Sequence, residues 1–255
     1  MCRGPLTDMA SPASWQTPPA DLRLESGEAH VWLGALDVPP ERLQELRAVL
    51  HADELARADR LLQAHHRVHS AAARGYLRTL LGRYLGFEPR SVELQFNPFG
   101  KPSLAGAIAA GGLRFNVSHS HGLALFAFAQ GRELGVDIEK IRPEFATTEI
   151  AGRFFSAAES ARLRSLAPEH QPRAFFECWT RKEAYIKARG DGLSRRLDAF
   201  EVAFGPGTAP AILAADDEPD AAARWAVYDL QPPDGYCGAL VVEGPGAAVV
   251  CWTLD

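Results

Sequence analysis

The stretch GVDIEKI, residues 135–141, decides how the rest of the chain is interpreted. Successive side chains of a β-strand point to opposite faces, so Val136 and Ile138 predict one buried apolar face. Asp137 and Glu139 then lie side by side on the other face. Two carboxylates about 5 Å apart repel each other by about 1 kcal/mol in water, and by more where solvent is excluded. This strand therefore needs either full solvation of its acidic face or a nearby cation.

The strand alone leaves both interpretations open. A solvated polar face with Lys140 beside it is the plain structural one. The alternative is a hard divalent cation, because Mg²⁺ favours a few carboxylates together with waters and substrate phosphates.

A second segment, QPRAFFECWTRKEAYIKARG at residues 171–190, predicts a helix with a proline near its start and a glycine at its end. Trp179, Glu183 and Lys187 are spaced i, i+4, i+8 and share one face, which Lys182 borders. A solvated Glu–Lys pair would be worth only about 0.3–0.5 kcal/mol. The tryptophan on the same face indicates instead that Glu183 faces an enclosed space, as a candidate third carboxylate.

Polar and basic residues precede the acidic strand. Ser118 and His119 are predicted in a loop between two apolar strands, in FNVSHSHG at residues 115–122. Adjacent strand residues point apart, which disfavours a nucleophile–base pair. A phosphate-holding turn and a plain hairpin both remain open. Lys101 lies in a Gly-Lys-Pro turn that brings a positive charge close to the backbone but lacks the P-loop spacing.

Residues 39–86 have the composition and 3.6-residue period of two or three helices. Their basic residues include Arg57, Arg74 and Arg78. Arg74 and Arg78 are like charges at i, i+4, which is mildly unfavourable unless an anion lies near.

Composition limits the classes of protein. The 255 residues are 47% hydrophobic and 23% charged with a net charge of −5, which disfavours a general nucleic-acid binder. No apolar run approaches the length of a membrane span, and the N-terminus has no secretory signal, so a cytoplasmic protein is expected. Residues 1–28 are predicted to be a flexible tail. The four cysteines, none in a C-x-x-C pair, are predicted to be reduced thiols: Cys2, Cys178, Cys237 and Cys251.

The coarse order of elements is strand, helices, strands, and then the same series again. This predicts an α+β protein of two related halves, residues 29–130 and 131–255, meeting near Gly131. In the second half, Ser156 and Glu159 have the spacing of a capping box.

Five motifs occur in an order that resembles the Sfp-type 4′-phosphopantetheinyl transferases. They are FNPFGKPSL, FNVSHS, GVDIEKI, RFFSAAE and WTRKEAYIKARGDGLS. The similarity runs from about Arg57 to Ser194. It implies a pseudo-dimer of two similar α+β halves with coenzyme A in the cleft between them. It also implies a reaction: Mg²⁺-dependent transfer of the phosphopantetheine arm of coenzyme A to a serine of an apo acyl or peptidyl carrier protein, leaving 3′,5′-ADP.

The resemblance also implies roles for individual residues. The metal carboxylates are Asp137, Glu139 and Glu183, and the catalytic residues are Glu183, Lys187 and Asp137. The implied coenzyme A contacts are Arg57, Ser70, Lys101, Ser118, His119, Lys182 and Lys187. A monomer is expected, because the two halves supply the interface that smaller relatives make by oligomerising. Neither nucleic acid nor membrane is an expected partner.

Two other functions remain open: a coenzyme A-binding module without activity, and an Mg²⁺-dependent nucleotide pyrophosphate hydrolase. The sequence does not identify the carrier protein or the pathway that is served.

Overall fold

The structure is a computed structural model that describes residues 14–190 and 195–254. Its helices are α1 (Pro40–Ala48), α2 (Ala52–Asp59), α3 (Ala64–Leu85), α4 (Thr148–Phe154), α5 (Ala157–Ser165), α6 (Gln171–Arg189) and α7 (Ala221–Arg224). Its strands are β1 (Glu28–Ala35), β2 (Leu94–Phe96), β3 (Pro102–Leu104), β4 (Leu113–Ser120), β5 (Leu123–Gln130), β6 (Leu134–Lys140), β7 (Phe200–Val202), β8 (Ile212–Ala215), β9 (Trp225–Leu230), β10 (Tyr236–Glu243) and β11 (Ala248–Thr253).

Two larger sheets and two small hairpins organise these strands. The first sheet has the order β11-β1-β5-β4, and the second has the order β6-β10-β9. The hairpins pair β2 with β3 and β7 with β8. Helices and mainly antiparallel strands are thus segregated, and the predicted α+β class is confirmed.

The sheets and the two longest helices form successive layers. Helix α3 covers the first sheet through a core that includes Leu77 and Phe126. The inner faces of the two sheets share a second core, in which Val136 and Ile138 of β6 are fully buried. Helix α6 covers the outer face of the second sheet, where Ala184 is fully buried. The apolar face predicted for residues 135–141 is therefore the contact between the sheets.

Gly135 determines how closely β6 approaches α6. A Cβ atom at this position would lie 2.1 Å from the carbonyl oxygen of Ala184 and 2.3 Å from the backbone nitrogen of Ala188. Real Cβ atoms do not occupy such distances, so only glycine fits between strand and helix. Because residues two apart share a face, Gly135 and Asp137 both point towards α6.

Most local sequence predictions are confirmed. Residues 39–86 form three helices, and Gly86 and Gly190 end α3 and α6 in the left-handed conformation that favours glycine. Ser156 and Glu159 form the predicted capping box at α5. The cysteines within the described residues are buried free thiols, namely Cys178, Cys237 and Cys251; Cys2 lies outside the described residues.

Three predictions about organisation need correction. The sequence predicts the last strand, β11, in the second half, but this strand pairs in parallel with β1 in the first sheet. Residues 14–27 belong to the predicted tail, yet Gln16 pairs with the backbone around Trp252 and Leu22 packs on the first core. The sequence predicts Ser118 in a loop, but this residue lies within β4, since the turn is formed by residues 121–122. Across the described ranges, no helix combines the length and hydropathy needed to cross a bilayer.

Candidate active site

The site lies where the two sheets meet, at the neighbouring edges of β4 and β6. In the described part of the chain, side chains of β4 rather than a backbone ladder connect these strands. Asn116 Oδ1 accepts from the Val136 N–H at 2.9 Å. The hydroxyl oxygens of Ser118 and Ser120 accept from the next alternate N–H groups of β6 at 3.4 and 3.3 Å. A period-two series of polar side chains thus satisfies one strand edge and lines the site.

Asp137 is a buried carboxylate at this junction of β4 and β6, with a relative exposure of 3%. Its Oδ1 accepts from Ser118 Oγ at 2.7 Å and from Lys187 Nζ at 2.6 Å. Lys187 Nζ also donates to Ser118 Oγ at 2.9 Å and to the Val136 carbonyl oxygen at 3.3 Å. The ion pair of Asp137 and Lys187 therefore joins β6 to α6. Ser118 and the carbonyl group of Val136 form the further hydrogen bonds of this pair.

Glu183 and Glu139 complete the acidic group, and both carboxyls have raised pKa values. Burial, with the nearby charges of Asp137 and Glu139, raises the pKa of Glu183 to about 7. Burial also raises the pKa of Glu139, with Asp137 adding to the shift, although Ser120 Oγ donates to Glu139 Oε2 at 2.7 Å and opposes it. Desolvation and mutual repulsion thus act together, as expected for acids that share a partly closed site.

A cavity of about 350 Å³ opens beside this group, between the first-half turn at residues 99–102 and α6. Glu183 and Lys187 line it, so this face of α6 borders a partly open cavity. Lys101 also lines the cavity, and its Nζ donates to the Lys187 carbonyl oxygen near the end of α6. Desolvation by burial lowers the pKa of Lys101.

A second cavity, of about 210 Å³, shares the walls Pro102 and Val117 with the first. Ser70, Arg74 and His119 line it. Desolvation against the cavity wall, together with the charge of Lys187, lowers the pKa of His119. We refer to these neighbouring cavities together as the cleft along β4, and to the side lined by Arg74 as its basic end.

Arg57 is linked to Arg74 of the basic end through one aromatic ring. Its guanidinium is 5.4 Å from the ring centre of Phe96, and Arg74 lies at the same distance from that ring. Two cations and a partly exposed aromatic ring suit a ligand with phosphate and planar groups.

The like charges of Arg74 and Arg78 share one anion within the chain, Glu54, which offsets one of the two charges. Arg78 is buried and its Nε donates to Glu54 of α2 at 2.6 Å, while Arg74 Nε lies 3.5 Å from the other oxygen of Glu54. The anion that this spacing requires is therefore a buried glutamate, which leaves Arg74 at the cavity wall.

Lys182 does not reach the site, so its predicted contact with the ligand is corrected. It is fully buried, forms an ion pair with buried Glu159 at 2.8 Å, and donates to the carbonyl oxygens of Leu197 and Phe200. Helical residues are separated by about 100°, which turns Lys182 away from the face of Glu183 and Lys187. Its role is structural: it neutralises Glu159 in the core of the second half.

Asp137, Glu139 and Glu183 suit a hard cation by their chemistry. Asp137 Oδ2 is buried without a hydrogen-bond partner among the described residues, and both glutamates have raised pKa values. Nevertheless, within residues 14–190 and 195–254 no three His, Cys, Asp or Glu side chains are disposed to hold an ion. Lys187, not a third carboxylate, stands against Asp137. The donor set fits Mg²⁺, but it is not preassembled.

Two site residues were missed by sequence reasoning: Asn116 and Ser120. Both lie on the same face of β4 as Ser118, and each contacts β6. The pattern N-x-S-x-S at residues 116–120 contained this signal, because it alternates with the strand period.

Comparison with known proteins identifies the family. A family model described as the 4′-phosphopantetheinyl transferase superfamily matches residues 133–241. The chain is 42% identical over 239 residues to 4′-phosphopantetheinyl transferase HetI of Nostoc sp. strain PCC 7120, which covers 94% of this chain and 98% of that protein. The chain belongs to the 4′-phosphopantetheinyl transferase superfamily. It is therefore an enzyme, a 4′-phosphopantetheinyl transferase.

Weaker similarities extend to two further proteins. The chain is 32% identical over 165 residues to 4′-phosphopantetheinyl transferase Sfp of Bacillus subtilis strain 168, over 65% of this chain and 66% of that protein. A crystal structure of a holo-(acyl-carrier-protein) synthase from Bacillus anthracis, in complex with CoA (3′,5′-ADP), aligns with a TM-score of 0.35 and 21% identity. That alignment covers 44% of this chain and 96% of the other. The matched region of the family model contains both β6 and α6, which carry the acidic residues and Lys187.

Proposed function

We propose that this transferase moves the phosphopantetheine arm of coenzyme A to a serine hydroxyl of an apo acyl or peptidyl carrier protein, with the cleft along β4 as its active site. The observation that carries the proposal is the placement of Glu183 and Lys187 on one cavity, with Lys187 bound to buried Asp137. Phosphoryl transfer from a diphosphate requires an acid with a pKa of about 7, a cation and a second buried acid.

Asp137, Glu139 and Glu183 would hold Mg²⁺. Bound there, the ion supplies neutralisation of the diphosphate oxygens and of the charge that develops on them. The unpartnered Asp137 Oδ2 supports this assignment, since a buried carboxylate oxygen favours a cationic partner.

Glu183 is proposed as the general base. The serine Oγ of the carrier protein gives its proton to the carboxylate, directly or through water, and attacks the β-phosphorus. Glu183 lines the cavity in which the serine would lie, and burial raises the pKa of its carboxyl in the protein without metal, which favours uptake of a proton there.

The new Oγ–P bond forms as the bond from the β-phosphorus to the bridging oxygen breaks, and 3′,5′-ADP leaves with the electron pair. Lys187 stabilises the charge on the departing group and can donate its proton there. Lys101 contributes a second positive charge on the same cavity wall.

The basic end of the cleft would bind the adenosine and its phosphates. The resemblance implies contacts of Arg57 and Ser70 with this part of coenzyme A, and of His119 with coenzyme A. Ser70 and His119 line one cavity with Arg74, and Arg57 shares the ring of Phe96 with Arg74. Arg74 extends the proposed set, because it lines the same cavity as Ser70 and His119.

The two halves, residues 29–130 and 131–255, are proposed to be related as a pseudo-dimer within a monomer. The position of the cleft at the junction of β4 and β6 supports this view. Strand β11 belongs to the first sheet, which changes the boundary between the halves. The junction of β4 and β6 is unaffected by this pairing.

Mass spectrometry of a carrier protein tests the function. Incubation with coenzyme A and Mg²⁺ should add the mass of one phosphopantetheine arm to an apo carrier, and omission of either should prevent it. Release of ADP without a mass gain would indicate a hydrolase instead, and binding without either product would indicate an inactive module.

Variants test the proposed residues in the same assay. Glu183→Gln and Asp137→Ala should lower the rate by about 10²–10⁴-fold while circular dichroism remains native. Glu169→Gln, on an exposed turn before α6, is the matched control and should remain active. Near-normal transfer by Glu183→Gln would contradict the assignment of the base.

A further inference from the structure

We propose that Lys187 is a built-in counterion that occupies the cation position at Asp137 in the free enzyme and leaves it when the diphosphate of the co-substrate binds with the metal. This inference rests on the proposed function, and it adds that the free protein itself resists metal binding.

The contacts of Asp137 provide the first argument. At 3% exposure, its carboxylate is removed from water, and an unpaired charge there would be strongly destabilising. The ammonium of Lys187 at 2.6 Å supplies the missing charge, and Ser118 Oγ donates to the same oxygen. A lysine thus satisfies one carboxylate oxygen, while the other, Oδ2, has no partner among the described residues.

Electrostatic competition provides the second argument. A divalent cation on Asp137 would lie within a few ångströms of the Lys187 ammonium if that side chain kept its present position. Repulsion between like charges at such distances is large wherever water is excluded. The two cations therefore exclude each other from this carboxylate.

The surroundings of Lys187 provide the third argument. Its side chain is 27% exposed and borders the 350 Å³ cavity, so the ammonium has space into which it can turn. The lysine stem is flexible, and its charge bonds as a point charge without fixed geometry. Phosphate oxygens in that cavity would offer it a new partner within the length of its own side chain.

The consequence is coupled binding. In the free enzyme a metal ion must displace the ammonium without compensation, so its affinity is low. With a diphosphate in the cavity, Lys187 gains new acceptors and releases Asp137, so metal and co-substrate each favour binding of the other.

The experiment measures Mn²⁺ binding to the full-length protein without coenzyme A or carrier protein, by electron paramagnetic resonance of the free ion. Lys187→Met removes the ammonium and keeps the apolar stem. It should bind Mn²⁺ about tenfold or more tightly than wild type. Lys187→Arg keeps the charge and should show no such gain.

Two controls locate the effect. Lys140→Met removes one positive charge from the exposed end of β6 and should change the affinity by less than threefold, because an exposed charge is screened. Asp137→Asn combined with Lys187→Met should abolish the gain. Equal or weaker Mn²⁺ binding by Lys187→Met would overturn the inference, as would an equal gain in Lys140→Met.

A thermal-shift assay covers the case in which Lys187→Met folds poorly without metal. The inference then requires a larger Mn²⁺-dependent rise in melting temperature for the variant than for wild type, and an equal or smaller rise refutes it. Neither measurement depends on transfer. If Lys187→Met binds Mn²⁺ more tightly than wild type but the wild-type protein does not modify a carrier, the proposed function is overturned and this inference is left intact.

Discussion

Glu183 is predicted to destabilise the free enzyme as pH rises, and Glu183→Gln to relieve this cost. A carboxyl whose pKa is raised from 4.5 to about 7 in the folded state disfavours its charged form by about 3 kcal/mol. Below pH 4.5 the group is protonated in both states and costs nothing. Between pH 4.5 and 7 it ionises in the unfolded chain first, so stability falls, and above pH 7 the full cost is present.

The assay is urea unfolding of wild type and Glu183→Gln in the presence of EDTA at several pH values. The variant should be more stable than wild type by about 1–3 kcal/mol at pH 8.5, and the difference should shrink towards pH 4.5. Part of the calculated cost is expected to be lost through relaxation and water entry. Glu169→Gln, on the exposed turn before α6, should change stability by less than about 0.5 kcal/mol at every pH.

The pH dependence decides the matter, not the size of the effect at one pH. A constant difference between wild type and Glu183→Gln from pH 4.5 to 8.5 would refute the reasoning, because a change in packing or hydrogen bonding has no reason to follow this titration. A variant less stable than wild type at pH 8.5 would show that ionised Glu183 is stabilised by Lys187 more than it is penalised by burial.

Two further predictions concern the framework of the site. Gly135→Ala should lower stability by about 1–3 kcal/mol in urea unfolding because the new methyl group would overlap Ala184, whereas Gly152→Ala in α4, with nothing within 4 Å, should be neutral or stabilising; equal effects of the two would contradict the close-contact argument. Lys182→Met should cost about 3–5 kcal/mol because it leaves Glu159 buried without a cation. Adding Glu159→Gln should restore part of that loss, and a double variant no more stable than the single one would show that the ion pair is not the cause.

The alternation of apolar and acidic residues in β6 and the shared face of Glu183 and Lys187 on α6 could be predicted. Each depends only on residues close together in sequence. Alternation of Val136 and Ile138 with the two acids required a single buried face, and the i, i+4 spacing brought Glu183 and Lys187 together. The same reasoning failed for Lys182. Its position follows from a partner on α5, Glu159, which nothing in the helix sequence reveals.

The local sequence pattern also could not predict which strands pair over a long distance in the chain. Strand β11 has the apolar composition of an ordinary strand, and its parallel pairing with β1 depends on the whole chain path. The polar composition of the N-terminal segment predicted a tail through residue 28. A few apolar anchors, including Leu22 and Leu24, are enough to hold its later part on the first core.

The location of the chemistry follows from how the two sheets are joined. A backbone ladder between β4 and β6 would satisfy both strand edges but leave no polar side chain between them. Here the N–H groups of β6 bond instead to Asn116, Ser118 and Ser120, and the two hydroxyl groups still have a proton to donate. Those protons go to Asp137 and Glu139. Each serine therefore both holds the sheets together and orients a site carboxylate, so the arrangement of the acids is inseparable from the joining of the two halves.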